Sequence, residues 1–337
     1  MRFIPEENIT ALLLRLSENA TVWAPQVVRD TVNTVLFAPW REGAEIETGL
    51  YSALPVKGLV LPATERLFSF RYHRAGEREK IEIEVDELRE RAAVFAARAC
   101  DAKALVTLDA LFLDGSGRSY NDQHYRARRG ALTVITLACT SCDSACFCSS
   151  FEDGAAATAG SDLIFYPVSG GFLAEAVSAT GRELAALDLF QESNLEKPPL
   201  AETAKVELAR LGQRLLDKFD DIDFWRRTAE GCLSCGYCSY ACPACHCFNI
   251  FDEMESDRAG GRYRCWDACM FYAYTLESSG HNPRPEAAHR YRNRLAHKFS
   301  YFPLNRGEFL CTGCGRCIRG CPAGRDVRDV IKALGAG

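Results

Sequence analysis

Two stretches decide how this chain is read: Cys232-Leu-Ser-Cys235-Gly-Tyr-Cys238-Ser-Tyr-Ala-Cys242-Pro243 and Cys311-Thr-Gly-Cys314-Gly-Arg-Cys317-Ile-Arg-Gly-Cys321-Pro322. Both run C-x2-C-x2-C-x3-C-P, the spacing of bacterial two-cluster ferredoxins, in which the fourth cysteine of each run serves the other cluster. The spacing predicts one [4Fe–4S] cluster on Cys232, Cys235, Cys238 and Cys321. It predicts a second on Cys311, Cys314, Cys317 and Cys242. Gly236, Gly313 and Gly315 suit a backbone that turns tightly around inorganic sulfide. Structural zinc is the ordinary alternative, but it pairs two separated C-x2-C knuckles with four ligands in all. Two three-cysteine loops, each followed by a fourth cysteine and a proline, favour iron–sulfur.

The rest of the composition agrees. The chain has 337 residues, 47% hydrophobic and 25% charged, enough to bury a core over two or three domains. A net charge of −5 gives no support to nucleic-acid binding. No apolar run reaches the length of a membrane span. The N-terminal stretch MRFIPEENITALLLRLSENA does not read as a secretory signal, since Arg15 interrupts its apolar run. A cytoplasmic location is expected, where thiols stay reduced. Of 17 cysteines, eight belong to the two runs; the other nine then read as metal ligands or buried thiols rather than disulfides.

The expected fold is α+β. An N-terminal α/β domain at 1–190 precedes a linker and helix at 191–219. A mostly helical domain at 220–337 then carries the two-cluster ferredoxin-like module, its loops split by a long insertion. A first helix is expected at 6–19, and a strand from Val22 to Val28 with a turn at Pro25. Further strands are expected at Lys80–Val85, Ala92–Ala97, Ala131–Ala138 and Leu163–Val168, with helix character from Asp101 to Asp109. Strands alternating with helices make an α/β domain. QESNLEKPPLAET at 191–203 is polar and proline-rich, a linker signal. Leu208, Leu211, Leu215 and Phe219 mark a helical packing face.

Cys139, Cys142, Cys146 and Cys148 follow one apolar strand, and Cys100 ends another. Strand ends of an α/β sheet lie close together and commonly build sites, so a third iron–sulfur cluster is expected here. Buried free thiols packing as small hydrophobes are the alternative. Cys245, Cys247, Cys265 and Cys269 form the other group. Cys265 and Cys269 stand four apart and would share a helix face. C-x-C with C-x3-C is a weak metal signature, and Cys245 and Cys247 can equally line the first cluster's pocket.

Longer motifs carry a resemblance. They include VWAP at 22–25, LPATERLFSF at 61–70, FAARACDAKAL at 95–105, CFCSS at 146–150, CLSCGYCSYACPACHCF at 232–248, WDACMF at 266–271, SGHNPRP at 279–285 and RYRNRLAHKF at 290–299. On these the chain resembles the iron–sulfur subunit of anaerobic sulfite reductase and the beta subunits of soluble NiFe sulfhydrogenases. The resemblance implies an electron carrier between two partners, a flavoprotein that binds NAD(P)H/FAD and a catalytic reductase or hydrogenase subunit. It also implies Cys100, Cys139, Cys146 and Cys148 as the third ligand set. Cys142 is an addition to that pattern and competes with Cys100 for the fourth place.

The basic stretch Arg290, Arg292, Arg294, His297 and Lys298 reads either as a docking face for an acidic partner or as positive charge beside the clusters. The chain has no G-x-G-x-x-G and no P-loop, so nothing binds NAD or flavin by motif. Two functions remain: an electron-transfer subunit, or a self-contained iron–sulfur reductase with a substrate site in the N-terminal domain.

Overall fold

This computed structural model describes residues 1–28, 34–49, 51–75, 78–86, 90–113, 121–151 and 154–335. The strands, in chain order, are β1 (Arg2–Pro5), β2 (Thr21–Val28), β3 (Thr34–Pro39), β4 (Thr64–Ala75), β5 (Arg78–Glu84) and β6 (Ala92–Arg98). They continue with β7 (Leu132–Leu137), β8 (Leu163–Val168), β9 (Gly171–Ala176), β10 (Gln191–Glu192), β11 (Phe248–Ser256) and β12 (Ala259–Trp266).

The larger sheet has eight strands in the order β10-β1-β9-β8-β7-β6-β2-β3. Its centre is parallel: β2, β6, β7 and β8 lie side by side in sequence order. These strands read as continuous apolar runs because helices cover both faces of a parallel sheet. Against one face pack Leu12 and Leu13 of the helix Ile9–Ser17. Against the other pack Leu105 and Leu108 of the helix Ala99–Phe112, the crossover from β6 to β7. The turn expected at Pro25 is absent. Pro25 lies inside β2, where only Thr21–Trp23 pair with β6. Its missing N–H therefore falls beyond the parallel ladder, where a strand tolerates proline.

The smaller sheet, β11-β12-β4-β5, is antiparallel and joins distant parts of the chain. The hairpin β4–β5 comes from before the 191–219 segment and the hairpin β11–β12 from after it. The second half is therefore less purely helical than expected, because the long insertion spends 248–266 on a hairpin. β12 is fastened by Arg264, which is buried and donates to Glu65 at 2.8 Å and also pairs with Asp122. A buried charge left unpaired is costly, so this network holds the insertion to the N-terminal half.

The helix expected over 204–219 is shorter, Leu211–Asp217, with Leu211 and Leu215 buried. They join Trp225, Tyr291, Leu295, Phe299, Val330 and Ile331 in a separate core under the cysteine loops. No helix among the described residues is long and apolar enough to cross a membrane.

Candidate functional site

The two ferredoxin loops repeat each other's backbone. Ser234 and Gly313, at equivalent places, have φ of 51° and 66°; Gly236 and Gly315 have 74° and 72°. Each second glycine starts a short helix, Tyr237–Tyr240 or Arg316–Arg319. The left-handed region costs a side chain energy, which is why three of these four positions are glycine.

The structure brings Cys232, Cys235, Cys238 and Cys321 around one cavity, with Cys317 also on its wall, backed by Met270, Tyr291 and Leu295. Cys235 is exposed, and Leu233 between the ligands is 67% exposed. Cys242 lies buried within electrostatic reach of Cys311, Cys314 and Cys317, and also of Cys238. Backbone amides point at sulfur: Arg325 N donates to Cys321 Sγ at 3.3 Å, and Gly313 and Arg316 donate to Cys311 and Cys314. Hydrogen bonds to cluster sulfur are a means by which proteins set cluster potentials. Burial pushes the Cys311 thiol up to about 11, against the pull of Lys298.

These thiols fit a cubane better than a single ion. Zinc needs four donors about 2.3 Å from one point if all are thiolate. Among the described residues no three Cys, His, Asp or Glu side chains converge in a way that would hold a single metal ion. The thiols of the Cys232 set are instead spread around a cavity.

Of the expected third set, Cys100, Cys139 and Cys148 are neighbours. Arg98 of β6 is opposite Leu137 of β7, so Cys100 and Cys139 follow neighbouring strand ends. Cys100 lies within electrostatic reach of both Cys139 and Cys314, and Cys148 within reach of Cys139 and Cys142. Cys146 is buried, with Arg319 Nη2 3.6 Å from its sulfur, while Cys142 is exposed. This segment lies directly on the second ferredoxin loop. Phe147 N donates to Gly313 O at 2.9 Å, and a Cβ on Gly313 would come 2.5 Å from Cys148 Cα. Buried Asp101, next to Cys100, pairs with Arg316 through two bonds of 2.8 and 2.7 Å. The Cys311 loop is thus covered by the 145–148 segment, whereas the Cys232 loop has an open side.

Cys265 and Cys269 do not share a helix. Cys265 stands in β12 opposite Asn249 and Thr64, and Cys269 follows the strand. The insertion pairs as a hairpin, a long-range choice that local i,i+4 spacing does not encode. Cys269 is hydrogen-bonded with Cys247, and that bond, with Arg294 nearby, holds it down at about 6. Cys245 is hydrogen-bonded with Cys242.

The basic stretch is not a surface docking face. Arg290, Arg294 and Lys298, each four apart, are all buried on one face of the helix Ala287–Ala296 and the π-turn that follows. Arg290 Nη2 reaches Ser234 Oγ at 3.3 Å. Arg294 donates to Cys238 O at 2.8 Å and to Cys245 Sγ at 3.5 Å. Lys298 donates to Cys242 Sγ at 3.2 Å and to Leu310 O at 2.7 Å. Arg292 turns away and stacks on Phe219, 3.9 Å from the ring centroid. Lys57 joins from the N-terminal half, buried, donating to Ser239 O at 3.1 Å and Cys245 O at 2.9 Å. Burial lowers its ammonium, opposed by the sulfurs of Cys245 and Cys242. Sequence reasoning misses Lys57, Asp101 and Arg316, although a lone lysine inside VKGLVLP and arginines between ligands are visible signals.

The family described as a 4Fe-4S dicluster domain matches residues 231–325. Sulfhydrogenase 2 subunit beta of Pyrococcus furiosus is 31% identical over 241 residues, covering 68% of this chain and 70% of that protein. No solved structure matches.

Proposed function

Because the chain belongs to the family of sulfhydrogenase beta subunits, we propose that it is the iron–sulfur relay of a cytoplasmic multisubunit oxidoreductase. It passes electrons between two partners, a flavoprotein that binds NAD(P)H/FAD and a catalytic subunit of the reductase or hydrogenase type. Two [4Fe–4S] clusters have crossed ligation, Cys232, Cys235, Cys238 and Cys321 for the outer, Cys311, Cys314, Cys317 and Cys242 for the inner. A third [4Fe–4S] cluster uses Cys100, Cys139, Cys146 and Cys148. Such clusters supply one-electron transfer.

One observation carries the reading. The three thiol sets are linked in series, Cys238 within electrostatic reach of Cys242, Cys242 of Cys314 and Cys314 of Cys100, with Cys235 of the outer set exposed and Cys242 buried. A series of neighbouring sets with an exposed outer end suits a conductor between partners. The protein's part is to exclude water, aim amide and guanidinium donors at sulfur, and hold the loops rigid. Exposed Cys235 and Leu233 leave the outer end accessible to one partner.

The test is reduction of the purified chain by NADH or NADPH under anaerobic conditions. The relay stays oxidised until a flavoprotein is added, since a hydride must be split into single electrons. Rapid bleaching of the lone chain would overturn the proposal. The self-contained reductase keeps one favourable observation: a pocket lined by Tyr51, Arg98, Thr140 and Ser141 at the strand ends beside Cys139. That reading requires turnover by the lone chain with an artificial reductant.

A further inference from the structure

Three buried cations surround Cys242 and Cys245 without a carboxylate. Lys57, Arg294 and Lys298 are 3%, 6% and 4% exposed. Their hydrogen bonds end on carbonyl oxygens, on Ser239 and on two sulfurs, and none pairs with an acidic side chain among the described residues. A buried charge of this kind normally has a counter-ion, because desolvation without one costs several kcal/mol. Elsewhere this chain obeys the rule: Arg316 is buried against Asp101, and Arg264 against Glu65. At Arg294 and Lys298 the place of the carboxylate is taken by cysteine sulfur, and Lys57, bonded to carbonyls, lies within electrostatic reach of Cys245 and Cys242.

A [4Fe–4S] core with four thiolates is an anion whose negative charge grows by one on reduction. Cations held next to it favour the reduced form. The distribution of charge along the chain is uneven. Lys298 donates directly to Cys242 Sγ, a ligand of the inner set, and Lys57 sits on the same side. Arg294 lies between the two sets, donating to Cys238 O of the outer and standing within electrostatic reach of Cys317 of the inner. The outer set has Arg290 near it, bonded to carbonyls and to Ser234 Oγ, but exposed Cys235 leaves this set open to water, which screens a neighbouring charge.

We propose that Lys57, Arg294 and Lys298 form a buried cationic seat that raises the reduction potential of the inner cluster above that of the outer one. An electron entering the series then rests at the Cys242–Cys311 centre. This rests on the two-cluster reading above and adds to it which cluster fills first. It also explains why the sequence separates the two ferredoxin loops so widely: the insertion supplies Arg294 and Lys298 on one helix face.

The experiment is an EPR-monitored redox titration of the whole chain, wild type against Lys298→Met and Lys57→Met, with Lys298→Arg as the charge-preserving control. Cys235→Ser marks which signal belongs to the outer cluster. Losing one neighbouring charge changes the oxidised-to-reduced ratio at fixed potential by about tenfold, which a one-electron couple shows as about 59 mV. The inner midpoint is expected to move negative by that order in both methionine variants and to recover in Lys298→Arg, with the outer midpoint fixed. Lys57 touches no ligand sulfur, so Lys57→Met carries the test if Lys298→Met loses iron. Unchanged midpoints at full iron content, a shift confined to the outer cluster, or loss of iron from both methionine variants would overturn the proposal. A wild-type chain without iron–sulfur signals would instead refute the reading on which it rests.

Discussion

Asp101→Asn is expected to cost far more than a surface change of the same size. Asp101 is fully buried and Arg316 is 2% exposed. Their two bonds, at 2.8 and 2.7 Å, are backed by a third from Arg316 Nε to Ser52 O at 2.8 Å. Asparagine keeps the shape but leaves a buried guanidinium without its counter-charge. Breaking one partner of such a pair costs ~3–5 kcal/mol. At roughly 2–4 °C per kcal/mol for a large domain, that is a fall of about 6–20 °C in Tm. The pair also holds the Arg316–Arg319 helix on the end of β6, so the cluster signal beside Cys314 should be lost together with the fold. The assay is anaerobic thermal unfolding followed by far-UV circular dichroism and by visible absorbance. Asp101→Leu with Arg316→Leu should regain part of the loss, since an apolar pair leaves no orphan charge. A change of less than about 2 °C for Asp101→Asn would mean that the guanidinium is satisfied without Asp101, and the reasoning fails.

Three further outcomes follow from the geometry. Cys321→Ser should perturb the EPR signal of the cluster held by the Cys232 loop and leave that of the Cys311 loop; the reverse would exclude crossed ligation. Gly313→Ala should reduce iron retention, because its Cβ would meet Cys148 Cα at 2.5 Å in a backbone with φ of 66°; iron content equal to wild type would refute it. His246 is held down from 6.5 to about 4 by burial and by His297. Above pH 6.5 both folded and unfolded forms are neutral at this site. Below it only the unfolded form takes up the proton, so stability falls as pH drops towards 4, by about 2 kcal/mol at pH 5. Denaturation midpoints at pH 7 and pH 5 check this: His246→Gln should lose less on acidification than wild type, and an identical loss in both would refute it.

The parts of this molecule that depend on local pattern are readable in the chain. Cysteine spacing marks both ferredoxin loops, and continuous apolar runs mark β6, β7 and β8. Cys100 and Cys139 can be placed together because strand ends in an α/β sheet adjoin. What escapes depends on distant pairing. The hairpin β11–β12 exists because β12 finds β4, nearly two hundred residues earlier, and Arg264 finds Glu65. The helical spacing of Cys265 and Cys269 gives no hint of that competitor. The basic stretch is ambiguous in the sequence for the same reason. A run of arginines is usually a solvated face, and only the packed helix reveals that Arg290, Arg294 and Lys298 point inward. Lys57 reaches the same place from a short helical turn in the other half, which no spacing rule within one segment can anticipate.

The most direct test of the relay is metal and sulfide analysis of the anaerobically purified chain, combined with dithionite reduction followed by EPR. Three cubanes of four irons require about twelve iron atoms and about twelve labile sulfides per chain, all reducible one electron at a time. Zinc in place of iron, or iron that yields no reduced-cluster signal, would contradict the account.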